Sequence, residues 1–132
     1  MLLVNARVGI SAIHGFGLIA QEFILKGTCI WRFQPGFDLL IVEEEFMTFS
    51  APAQHQVRHY AFFDELRRVY VLSNDDDRFT NHSEMPNSHI EMGEGREYKS
   101  YAIRNIHAGK EITCDYRAWG NYEPLPSEEK LR

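Results

Sequence analysis

Cysteine is scarce: Cys29 and Cys114 are the only two in 132 residues. They cannot build a disulfide framework, and they offer too few thiolates for a cysteine-based zinc site. Long apolar runs are missing as well. The opening Met1-Leu2-Leu3-Val4 is cut off by Asn5 and Arg7 well short of a signal-peptide core, and no stretch approaches the roughly 18–20 apolar residues that cross a bilayer. Excess positive charge is also absent: 14 Lys and Arg face 19 Asp and Glu, a net charge of −5. Broad contact with a phosphate backbone needs a basic stripe, so no direct nucleic-acid partner is expected. There is no internal repeat and no low-complexity tract. What is left is the composition of an ordinary soluble globule, 44% apolar and 25% charged, at a length near the mode for one domain. We therefore expect a single soluble, intracellular domain over residues 1–132 with no membrane partner. Its acidity would favour a basic partner, such as a lysine-containing peptide.

From Leu2 to Phe33 short apolar runs are broken by Gly9, Gly15, Gly17 and Gly27, which suggests short strands joined by turns. Leu18-Ile19-Ala20 and Thr28 to Phe33 are the clearest strands, and Leu39-Leu40-Ile41-Val42 is another candidate. Ser50 to Leu66 reads as a helix: Ser50 can cap it, Pro52 suits a first turn, and Val57, Tyr60, Ala61 and Phe63 lie near helical spacing. Val69 to Leu72 reads as a strand, Asn74 to Asp77 as a turn or short helix start, and Asn81 to Ser88 as a loop. Two further strands are expected over Glu97 to Ile103 and Lys110 to Cys114. The tail, 120–132, contains Pro124 and Pro126 and is expected to be loosely ordered. The fold class is mainly β with one modest helix.

Three clusters carry side chains capable of chemistry. In Ser11-Ala12-Ile13-His14-Gly15-Phe16-Gly17, two glycines one residue apart let backbone amides approach a ligand without Cβ interference, although alone they describe a tight turn. No third glycine and no opening helix follow, so this is not a dinucleotide fingerprint. In Arg78-Phe79-Thr80-Asn81-His82-Ser83-Glu84-Met85-Pro86-Asn87, Asn81 can donate and accept and His82 offers two ring nitrogens. Read by themselves, Asn81 and Asn87 are turn residues bonding their own backbone. The third cluster is Glu111-Ile112-Thr113-Cys114-Asp115-Tyr116, preceded by His107-Ala108-Gly109.

In this order, the glycine pair, Asn-His-Ser…Pro-Asn and a terminal Asp-Tyr resemble the SET-domain family of protein-lysine methyltransferases over roughly residues 5 to 119. The resemblance implies a fold of several small β-sheets with a short helical insert, closed by a C-terminal pseudoknot. S-adenosylmethionine would bind one face and the substrate lysine the other, with a narrow channel between them. Carried over by position, Gly15, Phe16 and Gly17 would line the cofactor, Arg78 would lie near its carboxylate, and Asn81 and His82 would hold its amino group and adenine. Tyr116 matches the family's catalytic tyrosine, and Tyr60 the tyrosine on the helical insert that faces it. Methyl transfer to lysine is an in-line displacement that depends on alignment. The amine must be neutral despite an ordinary pKa of about 10.4. A dry channel beside a sulfonium disfavours the ammonium through desolvation and like charge.

The chain departs from the family pattern at three places. Two residues before the catalytic tyrosine, where many members have Phe or Tyr, stands Cys114, whose small side chain would leave room for di- or trimethylation. Zinc-binding cysteines that close the channel in many members are missing, which makes Trp119 and Tyr122 the candidate channel wall and a homodimer one way to supply the lid. Glu84 replaces a frequent Cys, at a position peripheral to the chemistry. Two other readings stand beside this one. His55 and His59, four apart on the expected helix, could grip a metal, but Gln56 replaces the Glu of the metalloprotease pattern and no metal is expected. A catalytically weak SET-fold module binding cofactor or peptide is the other alternative. Glu43-Glu44-Glu45 and Asp75-Asp76-Asp77 are ordinarily solvated faces or turns, and a sharper role would be to flank a groove for a basic peptide.

Overall fold

Short strands need partners from elsewhere in the chain, and here they find them in three small sheets. The computed structural model describes residues 1–92 and 97–119. In the first sheet β1 (Ala6–Ile10) and β2 (Phe16–Ala20) form an antiparallel hairpin. β2 then pairs antiparallel with β10 (Glu111–Cys114), and β10 pairs parallel with β7 (Asn81–His82), giving the order β1-β2-β10-β7. A second sheet joins β3 (Cys29–Arg32), β9 (Tyr98–Ala102) and β8 (Ser88–Met92), all antiparallel. In the third, β6 (Val69–Leu72) lies between β4 (Leu39–Val42) and β5 (Phe62–Asp64). The mainly β class with several small sheets and a short helical insert is what the chain adopts. β10 lies between strands from two earlier parts of the chain, β2 and β7.

Two helical pieces follow β4: α1 (Glu43–Phe46) and α2 (Ala51–Tyr60). Ser50 caps α2 by accepting from Ala53 N, and Pro52 sits in the first turn where no intrahelical donor is lost. The helix expected to reach Leu66 stops at Tyr60. Ala61 is extended (φ −89°, ψ 160°), and Phe62 to Asp64 pair with β6 instead. Phe63 packs against Tyr70 with ring centroids 4.7 Å apart, and Phe62 lies edge-on to Tyr98 at 5.6 Å. Tertiary packing of these aromatics outweighs the local helical spacing. The loop expected over Asn81 to Ser88 likewise begins with β7 and ends at the first residue of β8.

Leu18, Ala20, Ile24, Ile30, Trp31, Val71, Tyr98, Ile106 and Ile112 form one core beneath the first two sheets, and Ile41, Phe46 and Val57 form a smaller one under the helical insert. The buried Tyr98 hydroxyl donates to Asp64 Oδ2 at 2.5 Å, while Asp64 Oδ1 accepts from Leu66 N and Arg67 N, so one carboxylate holds the β5–β6 turn to β9. Burial and the Asp64 bond push the Tyr98 hydroxyl up to about 12. No described helix is long and apolar enough to cross a membrane.

Candidate functional site

Gly15 takes the left-handed backbone (φ 49°) that closes the turn between β1 and β2, where Ser11 N donates to Gly15 O at 2.8 Å. Ser11 Oγ accepts from Ile13 N and His14 N, both at 2.9 Å. Gly17 is needed for a different reason: a Cβ there would fall 1.9 Å from Glu111 Oε1 and 3.2 Å from Asn81 Nδ2. Asn81, 3% exposed, turns its amide under this loop. Its Nδ2 donates to Phe16 O at 2.8 Å and His14 O at 3.1 Å, with Ser11 Oγ at 3.3 Å. The glycine turn and the start of the Asn-His-Ser string are thus held by one side chain.

The same string meets the Asp-Tyr segment through the parallel β7–β10 pairing, Thr113 opposite Asn81 and Cys114 opposite His82. Beyond the strand, Tyr116 N donates to His82 Nδ1 at 3.1 Å, and the two rings lie 5.4 Å apart. A backbone donor on Nδ1 places the ring proton on Nε2. Asp115 Oδ1 lies 3.5 Å from the same nitrogen, an ion pair only if the ring is charged. Hydrogen bonds from Arg117 hold the Asp115 carboxyl below the usual range. The Tyr116 hydroxyl donates to the Thr80 carbonyl.

Thr80 closes the 3-10 turn Asp76–Phe79, and this turn also carries the second tyrosine's neighbours. Tyr60 packs edge-on to Phe79 with centroids 5.6 Å apart, and the Arg78 guanidinium lies 5.5 Å from the ring centres of both Tyr60 and Phe79. Tyr60 therefore packs against Arg78 and Phe79, and Tyr116 bonds the next residue, Thr80. Behind them, burial pushes the Cys114 thiol up, with Asp77 and Asp115 adding to the effect. Burial raises Asp77 itself to about 6, against the hydrogen bond it accepts from Ser73 Oγ at 2.8 Å.

The structure thus brings Gly15, Phe16, Gly17, Asn81, His82, Cys114 and Tyr116 together, and places Arg78 in the adjoining 3-10 turn with Tyr60, the last residue of α2, packed against it. Only the backbone of Trp119 is described, in the 3-10 turn Tyr116–Trp119, and Tyr122 with the tail lies outside the described residues. Asn87 is more than a turn residue. Its Nδ2 donates to Glu111 O at 2.8 Å and its Oδ1 accepts from Thr113 N at 2.9 Å, clamping β10. Glu111 and Asp77 were not singled out as individual site residues, and the Thr80 carbonyl carries no side-chain signal. Asp75 accepts from Leu2 N and Asp77 N, so these two members of the acidic run serve the fold. His55 and His59 stack with centroids 6.3 Å apart, and no group of three metal-capable side chains forms among the described residues.

The SET domain family model matches residues 15–117. The chain belongs to the SET-domain family. Among solved structures, a Plasmodium falciparum protein assigned as a histone methyltransferase matches this SET domain with a TM-score of 0.62 at 22% identity, over 87% of this chain and 95% of that one. Two structures of the Chaetomium thermophilum Polycomb Repressive Complex 2 match with TM-scores of 0.70. The apo form is 24% identical and an inhibitor-bound form 22%, each over 89% of this chain but only 16% of theirs. These likenesses establish the fold. No curated protein matches the sequence.

Proposed function

We propose that this SET domain transfers methyl groups from S-adenosylmethionine to the side-chain amine of a lysine in a protein substrate. The supporting observation is the convergence of Gly15–Gly17, Asn81–His82 and Tyr116, remote in sequence, in one hydrogen-bonded unit. The site suits the cofactor: Gly17 leaves room that the Glu111 carboxylate enters, and Glu111 Oε2 is a buried acceptor with no donor among the described residues. When bound, S-adenosylmethionine supplies a methyl group on a sulfonium sulfur. Gly15, Phe16, Gly17, Asn81 and His82 would hold its amino acid and adenosine parts, and Arg78 offers a guanidinium fork for its carboxylate.

Tyr116 acts by positioning. Its proton is committed to the Thr80 carbonyl, so toward an incoming amine the phenol oxygen serves as acceptor. With its oxygen placed to accept from the amine and its own proton on Thr80 O, Tyr116 orients the amine, whose proton leaves through water. Tyr60, packed against Phe79 and Arg78, completes the aromatic wall. Cys114 leaves more room than Phe or Tyr would, so the product carries two or three methyl groups. Trp119 and Tyr122 are proposed to line the channel, with a second copy of the chain as a further wall in a homodimer. The partner is a lysine-bearing basic peptide or protein in an intracellular, soluble setting, in keeping with the net charge of −5.

Incubating the chain with radiolabelled S-adenosylmethionine and cell extract should label a protein band, and mass spectrometry of that protein should find di- or trimethyl-lysine. Tyr116→Phe should lower transfer by about 100-fold or more while leaving cofactor affinity within a few-fold, since only alignment of the amine is lost. Labelling by the variant at the parent rate would refute the assignment. Cofactor binding without any transfer would point to the binding-module alternative.

A further inference from the structure

Glu111 opens β10, and its carboxylate reaches the space that Gly17 leaves by lacking a Cβ, 1.9 Å from where that atom would stand. Its Oε1 is 3.5 Å from Asn81 Nδ2, the nitrogen that already serves Phe16 O, His14 O and Ser11 Oγ. An amide nitrogen carries two hydrogens, and the Ser11 hydroxyl adds one. The Ser11 oxygen is already served by Ile13 N and His14 N, so these three hydrogens face two carbonyls and both oxygens of Glu111. The other carboxylate oxygen, Oε2, is buried and meets no donor among the described residues.

Buried acceptors are ordinarily satisfied, and a carboxylate oxygen most of all. A site with surplus acceptors, a negative charge and little room suits a small cation with several N–H groups. A primary ammonium has that chemistry. An anionic group would be repelled by Glu111, and a neutral hydroxyl would bring one hydrogen where several are missing. Among the polar groups of S-adenosylmethionine only the α-ammonium fits this description.

We propose that Glu111 is a cofactor-binding residue whose carboxylate accepts from the α-ammonium of S-adenosylmethionine, beside Asn81 and beneath Gly17. The assignment rests on the methyltransferase reading and gives a role to a side chain of the Asp-Tyr segment to which the resemblance assigned none. Gly17 then has a second reason to be glycine: any side chain would displace the carboxylate from the ammonium.

The test is binding, not turnover. Calorimetry on the full chain compares S-adenosylhomocysteine with its desamino analogue, in which hydrogen replaces the amino group, for the parent and for Glu111→Gln. Gln keeps the shape but removes the charge and presents N–H where the ammonium would be. A charge-assisted hydrogen bond lost in this way should weaken S-adenosylhomocysteine by about 10- to 100-fold. The desamino analogue should change by less than about threefold between parent and variant. Equal weakening of both ligands, or of neither, overturns the proposal. Thermal unfolding run alongside confirms that the variant is folded. A measurement on the parent needs no variant at all: the desamino analogue must bind more weakly than S-adenosylhomocysteine, and equal affinity also overturns it. Failure of the parent to bind S-adenosylhomocysteine would instead sink the methyltransferase reading itself.

Discussion

Asn81 ties a turn to a strand that lies 65 residues further along the chain, because its amide nitrogen is spent on the carbonyls of His14 and Phe16. Asp77 presents the opposite economy. It is an ionisable group whose burial costs the fold something at neutral pH, since desolvation raises it to about 6 from the ordinary 3.8 and the neighbouring Asp75 and Asp38 add to the rise. Between those two values the native chain holds a proton that the unfolded chain releases. This group therefore stabilises the fold as pH falls through 6 and penalises it above. Asp77→Asn removes the penalty. In urea unfolding the variant should exceed the parent by on the order of 1–3 kcal/mol at pH 7.5, and the gap should close by about pH 4. A gap independent of pH would mean that the carboxylate ionises normally in the folded chain.

At the level of elements, β10 is held by more than its ladder. Asn87 bonds Glu111 O and Thr113 N with its side chain, and Ser88 Oγ donates to Thr113 O at 2.6 Å. Asn87→Ala would strip two backbone groups of their partners and should lower stability by about 2–4 kcal/mol in denaturant unfolding, with earlier proteolysis near residue 111. Such a clamp was only half legible. Pro86-Asn87 stands out in the sequence as the end of a motif, but a local reading assigns Asn to its own turn, and nothing in the string says that a strand 24 residues later lies within reach. The helix boundary was hidden for a related reason. Ala61 and Phe63 fit the helical spacing of Val57 and Tyr60, and only contact with Tyr70 and Tyr98, both distant in sequence, pulls Phe62 and Phe63 into a strand. The strands that could be read, such as Val69–Leu72 and Cys29–Arg32, are those whose β-branched and aromatic residues point one way without tertiary help.

For the molecule as a whole, legibility followed chain continuity. Groups lying in contiguous strings, such as Asn81 and His82 or Asp115 and Tyr116, could be located in advance. Groups contributed by main chain or by packing could not: the Thr80 carbonyl under Tyr116, the Glu111 oxygen under Gly17, the carboxyl of Asp77 behind Cys114. The first sheet joins residue pairs about 90 apart, as in Ile19 opposite Glu111, and such long-range pairing makes for slow folding, on the order of milliseconds to seconds. A fragment ending at Lys110 lacks the strand shared by β2 and β7. It should show no cooperative thermal transition and no measurable affinity for S-adenosylhomocysteine. A cooperatively melting fragment would show that the β10 position is dispensable.

The central place of β10 also has a consequence for how the protein is made. During synthesis the glycine turn, Tyr60 at the end of α2 and the Asn-His pair emerge from the ribosome in succession, yet the first sheet stays split until residues 111 to 114 arrive to bridge its two halves. The two halves of the candidate site thus stay unjoined until that stretch is released. They come together in one late step instead of gradually with chain length.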